Sequence, residues 1–365
     1  MDRSSRIYVA GHRGLAGSAL TRALASRGFS SVITRSHTEL DLESQGKVEA
    51  FFKAERPEYV FLAAAKVGGI LANNTWPVDF LLRNLKIQSH VIEASWRYGA
   101  KGLIFLASSC IYPKLAPQPL KEDYLLTGAL EPTNEPYAVA KIAGITLCEA
   151  FNRQYSTRFL SVMPTNLYGP NDTYDLENSH VLPALIRKFH LARLASEGEW
   201  KRLSEDERRH GAIPADFYGC LRAISLSKGF NPPDRDGTGD AAPAVRLWGT
   251  GSPRREFLHS DDLADACLFL MERMGEVFSG SRGPSRRLIN IGCGEDGTIR
   301  ELAETVSRIV GFRGAVEWDA SKPDGTPQKR LDMSRLSALG WEPRIALTEG
   351  IRSAYEDYLE GRVKS

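Results

Sequence analysis

The chain has 365 residues, of which 42% are hydrophobic, and a formal net charge of +2 at pH 7. This length allows one large domain or two closely associated domains, and the balanced charge argues against a nucleic-acid-binding or membrane-surface protein. No apolar run approaches the roughly 20 residues of a membrane span, and the first residues lack the apolar segment of a secretion signal. Five cysteines without a CxxC pair suit the reducing cytoplasm.

Strand and helix signals alternate along the first half of the chain. Continuous apolar runs rich in strand-forming residues lie at 7–10, 59–65, 103–109 and 159–163. Runs that are apolar throughout are typical of strands buried on both faces of a parallel sheet. We therefore predict an α/β fold with a Rossmann-type doubly wound parallel sheet. Later strand signals, at 244–249 and 287–294, predict a smaller C-terminal α/β domain.

A glycine-rich turn, GHRGLAG, follows the first of these strands and precedes a helical pattern. Its glycines, Gly11, Gly14 and Gly17, allow a tight turn, a close approach of the backbone to a pyrophosphate, and close packing of helix on strand. The helix N-terminus adds free N–H groups and a partial positive charge. The turn therefore predicts a dinucleotide-binding site at this end of the sheet.

The second predicted strand, 31–37, bears on the choice of nicotinamide cofactor. A site for NAD usually has an acidic residue at the end of this strand to bind the ribose 2′-hydroxyl, and here there is none. Arg35, together with His37, would instead suit a 2′-phosphate, which favours NADP over NAD. The alternative is that Arg35 is only a solvated surface charge. Asp41 is a candidate adenine contact.

Tyr137 and Lys141 lie one helical turn apart in the stretch NEPYAVAKIAG. We expect Asn134 to cap this helix and Pro136 to occupy its first turn. A lysine ammonium at this spacing lowers the pKa of a tyrosine, ordinarily about 10, so that the phenol can exchange a proton near neutral pH. The lysine can also bond the nicotinamide ribose, and Ser108 can hydrogen-bond the substrate oxygen.

The stretches GHRGLAG, SSCIYP and YAVAK resemble the extended short-chain dehydrogenases/reductases. Longer stretches resemble the GDP-L-fucose synthase family: AAAKVGGILAN, EPTNEPYAVAKIAG, SVMPTNLYGPND, NSHVLPALIRKFH, REFLHSDDLA and KPDGTPQKRLD. The resemblance covers the chain except roughly 194–242. It implies NADPH-dependent conversion of GDP-4-keto-6-deoxy-D-mannose to GDP-L-fucose, by epimerisation at C3 and C5 and then reduction of the C4 ketone. It also implies a cytoplasmic homodimer, formed through the helix of Tyr137 and the helix before it.

This chemistry requires an acid and a base on opposite faces of each epimerised carbon, and a donor at the C4 oxygen. Ser108, Tyr137 and Lys141 would surround that oxygen. By resemblance Cys110 is the base and His180 the acid, and the carbon that each serves stays open. Cys110 follows Ser108 by two residues, so both side chains leave the strand end toward one side if the chain stays extended. Without the resemblance, Cys110 would more often be a small buried hydrophobic residue.

The resemblance also assigns contact residues position by position. For the cofactor these are Gly11, His12, Arg13, Gly14, Leu15, Ala16, Gly17, Arg35, His37, Asp41, Leu106, Ala107, Ser109, Lys141, Pro164, Thr165, Asn166, Leu167 and His180. For the nucleotide sugar they are Lys188, Trp248, Arg255, Asp324 and Lys329. Lys188 stands where the family typically has an arginine, which keeps the charge but loses the bidentate fork. Arg187 would then be able to share the phosphate.

We expect an NADP-binding domain at 1–166, with returning segments near 257–292, and a substrate-binding domain at 167–256 and 293–345. The substrate-binding domain includes the insertion at about 194–242.

The insertion contains a stretch dense in charge, a candidate short helix at 217–230, and a loop at 231–243 rich in Pro, Gly and Asp. We expect it to be a surface excursion or a contact with a partner.

Two other functions stay open on the residues alone. Another nucleotide-sugar enzyme, a 4-epimerase or a 4,6-dehydratase, would share the fold. However, a dehydratase would have an acidic pair where Ser109 and Cys110 stand, and a 4-epimerase does not need Cys110 with His180. The other alternative is a non-catalytic NADP-sensing protein, which would have no reason to keep the complete serine, tyrosine and lysine set.

Overall fold

The computed structural model describes residues 1–235, 241–279, 287–322 and 324–361, with the backbone alone described at 70 and 71. In chain order its elements are β1 (Ile7–Ala10), α1 (Leu15–Ser26), β2 (Val32–Ile33), α2 (Gln45–Glu55), β3 (Tyr59–Leu62), α3 (Ile70–Thr75), α4 (Pro77–Arg97), β4 (Gly102–Leu106), α5 (Glu135–Tyr155), β5 (Phe159–Pro164), β6 (Asn166–Tyr168), α6 (Val181–Ser196), α7 (Trp200–His210), α8 (Ala215–Ser227), β7 (Ala244–Trp248), β8 (Arg254–Arg255), β9 (Phe257–His259), α9 (Ser260–Glu272), α10 (Met274–Ser279), β10 (Leu288–Ile291), β11 (Gly297–Thr298), α11 (Ile299–Val310), β12 (Ala315–Asp319), β13 (Gln328–Lys329), α12 (Ser334–Ala338) and α13 (Leu347–Glu360). Within this described part, no helix combines the length and the apolar character needed to cross a bilayer.

The chain divides into two compact units. The first unit comprises Met1–Asn171, Glu256–Glu295 and Arg330–Ile345. The second comprises the remaining segments, Asp172–Arg255, Asp296–Lys329 and Ala346–Ser365.

The first unit contains a six-stranded sheet in the order β10-β5-β4-β3-β1-β2. Every neighbouring pair in it is parallel. Strand β2 lies on one side of β1, and β3 and the later strands lie on the other, so the order of the strands reverses at β1. The carboxyl end of β1 is therefore the topological switch point where such sheets bind ligands. The predicted α/β fold with a doubly wound Rossmann-type sheet is confirmed.

The two faces of β1 show why its sequence is apolar throughout. Ile7 and Val9 pack into a core shared with α1 and α9, whereas Tyr8 and Ala10 pack into a second core shared with α2, α4 and α5. Successive side chains of a strand point to opposite faces, so a strand covered by helices on both sides has no polar face.

Strand β2 is shorter than predicted, covering Val32–Ile33 in place of 31–37. The backbone N–H of Ser36 donates to the Glu39 carboxylate at 2.7 Å, and the N–H of Glu39 donates back to the Ser36 carbonyl at 3.1 Å. Short polar side chains offer the backbone such local bonds as an alternative to a sheet ladder. The second strand therefore ends before Arg35.

The second unit contains two small sheets, one with β12 parallel to β7 and one with β8 between β11 and β13. The expected insertion forms α7 and α8, and α8 packs against α6 and β7. It buries Phe217, Leu221 and Ile224. Helix α8 therefore belongs to the core of the unit and is not a surface excursion, and the short helix predicted at 217–230 is confirmed as Ala215–Ser227. Of the predicted loop, residues 236–240 lie outside the described residues.

Arg187 attaches the insertion to α6. Its side chain is 0% exposed. Nε donates to the Asp206 carboxylate of α7 at 2.8 Å, and the terminal nitrogens donate to the carbonyls of Tyr174, His210 and Gly211. Four of the five guanidinium N–H groups are therefore used inside the unit. This excludes the hypothesis that Arg187 shares a phosphate with Lys188.

Candidate active site

The glycine-rich turn lies at the carboxyl end of β1. Gly11 has a φ of +85°, and a Cβ there would lie 2.7 Å from the backbone nitrogen of Ala64. A Cβ at Gly17 would lie 2.1 Å from the Gly11 carbonyl oxygen, so both positions require glycine for packing within the chain. A Cβ at Gly14 would meet nothing closer than 3.5 Å. Since Gly14 is the N-cap of α1 without a side-chain cap, it leaves the helix N-terminus open to a ligand phosphate.

The predicted 2′-phosphate residues lie beyond β2. Arg35 forms an ion pair with Glu55 of α2 and donates to the Thr34 carbonyl at 2.8 Å. It is therefore not a freely solvated charge, and a phosphate arriving here would share the guanidinium with Glu55. His37 is exposed, with Nδ1 4.0 Å from the Asp41 carboxylate.

Lys141 is a residue of α5, and its ammonium lies at the carboxyl end of β4. The residue is 3% exposed, and Nζ donates to the Leu106 carbonyl at 2.8 Å. The ammonium lies 5.7 Å from the ring centroid of Tyr137, so the one-turn spacing does place both groups on one face of α5. Burial lowers the pKa of Lys141 to about 8. Near neutral pH the lysine is still largely charged, with donors left for a ligand.

Tyr137 is a neutral phenol in this arrangement. Burial raises its pKa well above the ordinary value, and the hydrogen bond with the Ser108 side chain only partly opposes that effect. The lowered pKa expected from Lys141 is therefore not found, because loss of hydration outweighs an ammonium that does not touch the phenol oxygen. A neutral phenol bonded to a serine hydroxyl is suited to giving a proton to a developing alkoxide.

Cys110 joins this group through a turn. Ser109–Ile111 form a 3₁₀ turn, in which the N–H of Cys110 donates to the Ser108 hydroxyl at 3.4 Å. The chain does not stay extended, so strand alternation does not explain why Ser108 and Cys110 share a side. The side chain is nonetheless close enough that the charge of a Cys110 thiolate would raise the pKa of both Tyr137 and Lys141. The first unit thus brings Ser108, Cys110, Tyr137 and Lys141 together.

The start of α5 differs from the prediction in one detail. Asn134 is the N-cap residue and Pro136 lies in the first turn, but the Asn134 side chain makes no cap hydrogen bond. A 3₁₀ turn at Pro132–Asn134 leads into the helix and fixes its entry. The expected side-chain cap is therefore wrong.

Phe80, which the sequence analysis did not select, supports Tyr137. Its buried ring meets the Tyr137 ring edge to face, with the centroids 6.2 Å apart. Asn84, one turn later on α4, accepts from the N–H of Lys66 and donates to its carbonyl, and it also donates to the Phe80 carbonyl. Of these residues only Lys66 belongs to the stretch AAAKVGGILAN that carries the resemblance. The support that Phe80 gives to Tyr137 is seen only from the packing of α4 against α5.

Glu256 is a second residue that the sequence analysis missed. It is fully buried, and its carboxylate accepts from the backbone N–H groups of Cys293, Gly294 and Leu331. Its own carbonyl accepts from the side chains of Thr165 and Asn166, at 3.2 and 2.8 Å. Glu256 therefore positions the junction of β5 and β6, which contains the predicted cofactor contacts Pro164, Thr165, Asn166 and Leu167. A single acidic residue ahead of the apolar run of β9 was the available signal.

Arg255 and Lys329 lie side by side in the second unit, as Cα partners of β8 and β13. Burial lowers the pKa of Arg255, and the Asp324 carboxylate partly opposes that effect. Asp324 itself accepts from the backbone N–H and hydroxyl of Thr250, at 2.9 and 2.7 Å. It therefore braces the turn after β7, where a Cβ on Gly249 would lie 2.3 Å from its carboxylate. Arg255 and Lys329 are therefore neighbouring cations on adjacent strands.

The other predicted residues of the second unit lie on α6 and β7. His180 is the N-cap of α6; although the residue is exposed, surrounding protein atoms reduce the hydration of its ring and lower its pKa. Lys188 is half-buried further along α6, and its ammonium lies 5.4 Å from the ring centroid of Phe217. Trp248 ends β7 with an exposed indole. Cys110 belongs to the first unit and His180 to the second.

A doubly wound sheet with a glycine turn at its switch point and a Ser–Tyr–Lys set at the end of β4 is typical of a nicotinamide-dinucleotide-dependent enzyme. The chain belongs to the NAD dependent epimerase/dehydratase family, whose model matches residues 7–209 and 235–292.

Named relatives narrow the comparison. The chain is 49% identical to a protein described as putative GDP-L-fucose synthase 2 of Arabidopsis thaliana, over 100% of this chain and 94% of that one. It is 47% identical to GDP-L-fucose synthase of Escherichia coli strain K12, over 98% of this chain and 97% of that one. Among solved structures, a GDP-mannoheptose C4 reductase from Campylobacter jejuni with NADP bound is 38% identical, with a TM-score of 0.80, covering 98% of this chain and 99% of that one.

Proposed function

We propose that this protein converts GDP-4-keto-6-deoxy-D-mannose to GDP-L-fucose, by epimerising C3 and C5 and then reducing the C4 ketone with NADPH. The observation that carries the proposal is the buried thiol of Cys110 beside Ser108, Tyr137 and Lys141. A reductase alone needs only the last three. Relatives at 49% and 47% identity that are named GDP-L-fucose synthases support it.

The cofactor proposed for the first unit is NADP(H). Its backbone fits a dinucleotide, because Gly11 and Gly17 admit no side chain and Gly14 leaves the helix N-terminus open. Arg35 supplies a cation for the 2′-phosphate, and the reductase from Campylobacter jejuni that has NADP bound supports the choice. When bound, NADPH supplies a hydride. Lys141 would orient the nicotinamide ribose with the N–H groups not used by Leu106.

Epimerisation uses the acidity of the C3 and C5 hydrogens, which are both next to the C4 ketone. Cys110, as the thiolate, would take the proton from one face and become the thiol, and His180, as the imidazolium, would return a proton to the other face and become neutral. Ser108 and Tyr137 would donate hydrogen bonds to the C4 oxygen as negative charge develops on it. Because the Tyr137 phenol stays neutral, it can act as a donor through both epimerisations.

Reduction uses the same donors at the same oxygen. As hydride reaches C4, Tyr137 would pass its proton to the alkoxide, assisted by the Ser108 hydroxyl. The charge of Lys141 would then stabilise the phenolate left behind until solvent restores the proton. One donor set thus serves both halves of the reaction.

The second unit would hold the nucleotide sugar. Arg255 and Lys329 lie side by side as cations for the diphosphate, with Lys188 as a further cation on α6. The exposed indole of Trp248 offers a surface for the base or the sugar. Asp324 would act through the turn that it braces.

We infer a cytoplasmic homodimer formed through α4 and α5. Val78 and Leu82, one turn apart on α4, are 68% and 47% exposed, and Val139 on α5 is 43% exposed. Apolar side chains on two packed helices are typical of a face covered by a partner, here a second copy. The five cysteines are free thiols, which suits a reducing compartment.

The decisive experiment gives purified protein GDP-4-keto-6-deoxy-D-mannose and NADPH. We expect NADPH oxidation with GDP-L-fucose as product, identified by its NMR couplings. A product that keeps the D configuration at C3 and C5 would make the protein a C4 reductase only. Tight NADPH binding without consumption would instead favour the non-catalytic sensor.

A further inference from the structure

Helix α8 distinguishes this chain from the family model. The model leaves residues 210–234 unmatched, and α8 lies within them. The helix is nevertheless part of the core of the second unit, packed against α6, which carries Lys188, and against β7, which ends at Trp248. A segment that the family model lacks thus forms part of the surroundings of two predicted substrate residues.

Two residues in the first turn of α8 act on the Lys188 ammonium. Phe217 is buried with its ring centroid 5.4 Å from Nζ, which is the distance of a cation–π contact. Asp216, the residue before it, is exposed. Burial lowers the pKa of Lys188, and the negative charge of Asp216 partly opposes that effect. The ammonium is therefore in contact with an aromatic ring, and the charge of the nearby exposed carboxylate partly neutralises its field.

We propose that α8 sets the affinity for the nucleotide diphosphate, with Phe217 positioning the Lys188 ammonium toward the phosphates and Asp216 opposing their binding. The inference rests on the proposed function, in which Lys188 binds the diphosphate.

Lys188 stands where the resemblance implies an arginine, and this difference explains why such a helix is useful here. A lysine is a point charge on a flexible four-carbon stem, whereas the guanidinium of an arginine is a planar fork that is already organised for two phosphate oxygens. A ring held in the core restricts the stem and restores part of that organisation. Asp216 acts in the opposite direction, because a carboxylate near the phosphates repels them.

The test measures dissociation constants by calorimetry, with GDP as the probe and guanosine as the phosphate-free control. Phe217→Leu removes the ring but keeps an apolar side chain, and we expect it to weaken GDP binding about fivefold. Asp216→Asn removes only the charge, and we expect it to tighten GDP binding about threefold. Guanosine and NADPH affinities should stay unchanged in both variants.

Lys188→Ala provides the matched background. If α8 acts through the ammonium, neither α8 substitution should alter GDP affinity once Lys188 is absent. With the full substrate, Phe217→Leu should raise KM and leave kcat nearly unchanged, since ground-state and transition-state binding are affected alike.

Three results would overturn the inference. Equal changes of the same sign in both variants, or parallel changes for guanosine, would make α8 a scaffold only. GDP binding that neither substitution alters would refute the inference and leave the proposed function intact. A native protein that binds NADPH but not GDP would refute both. Asp216→Asn changes an exposed side chain, so the test does not depend on whether Phe217→Leu folds normally.

Discussion

The reaction group of the first unit and the charged region around α6 in the second are built differently. Ser108, Cys110, Tyr137 and Lys141 come from two short stretches and meet at the end of one strand. Lys188, in contrast, lies beside Phe217 of α8, within the residues that the family model leaves unmatched. The first site is therefore built from elements that the family model matches, while the second depends on the packing of α8, which that model leaves unmatched.

The largest expected effect divides the first site into its two activities. Tyr137→Phe removes the proton that the alkoxide requires, so we expect reduction to fall about a thousandfold or more. Ser108 still donates to the C4 oxygen, so exchange of the C3 and C5 hydrogens with heavy water should continue at a reduced rate. Single-turnover NADPH oxidation and deuterium incorporation by NMR measure the two. Loss of both to the same degree would contradict separate roles.

Cys110→Ser should show the opposite bias. A thiol ionises to a thiolate near neutral pH and a serine hydroxyl does not, so the variant lacks an anionic base and we expect exchange at C3 and C5 to fall about a hundredfold or more. NADPH affinity should stay within twofold, because the thiol lies with Ser108 and Tyr137 and not on the glycine turn. Exchange at the native rate would remove Cys110 from the mechanism.

The second unit should respond to Asp206→Ala through its stability. The substitution leaves the fully buried Arg187 without its carboxylate and removes a partner of Tyr358, which we expect to cost about 3–5 kcal/mol. Denaturant unfolding followed by fluorescence measures the loss, and NADPH binding to the first unit should persist at low denaturant.

Asp234→Ala is the matched control for that prediction. It breaks the ion pair with Arg222 at an exposed carboxylate in the same insertion, and should cost less than about 1 kcal/mol. Equal losses from the two substitutions would mean that burial of Arg187 does not govern the unit.

The features that could be predicted from the sequence are those set by residues close together in the chain. The glycine turn and the one-turn spacing of Tyr137 and Lys141 are local patterns, and local geometry produces them whatever else the chain does. The partners of Arg187 and the carboxylate bonds of Glu256 depend on segments tens of residues away, which no periodicity indicates. Even within SSCIYP, the side that Cys110 faces comes from a turn that alternation does not predict.

The remaining prediction is a pH dependence of the first site. Burial lowers the pKa of Lys141 to about 8, so its ammonium is present below that pH and lost above it. If the charge orients the ribose and stabilises the phenolate, kcat/KM for reduction should be level near pH 7 and fall about tenfold per pH unit well above pH 8. Lys141→Arg keeps a charge at every accessible pH, so its remaining activity should lack this decline. A decline of the same midpoint and slope in Lys141→Arg would assign the titration to another group. A substrate affinity that stays constant while the reduction rate falls would place the pH sensitivity in the first unit.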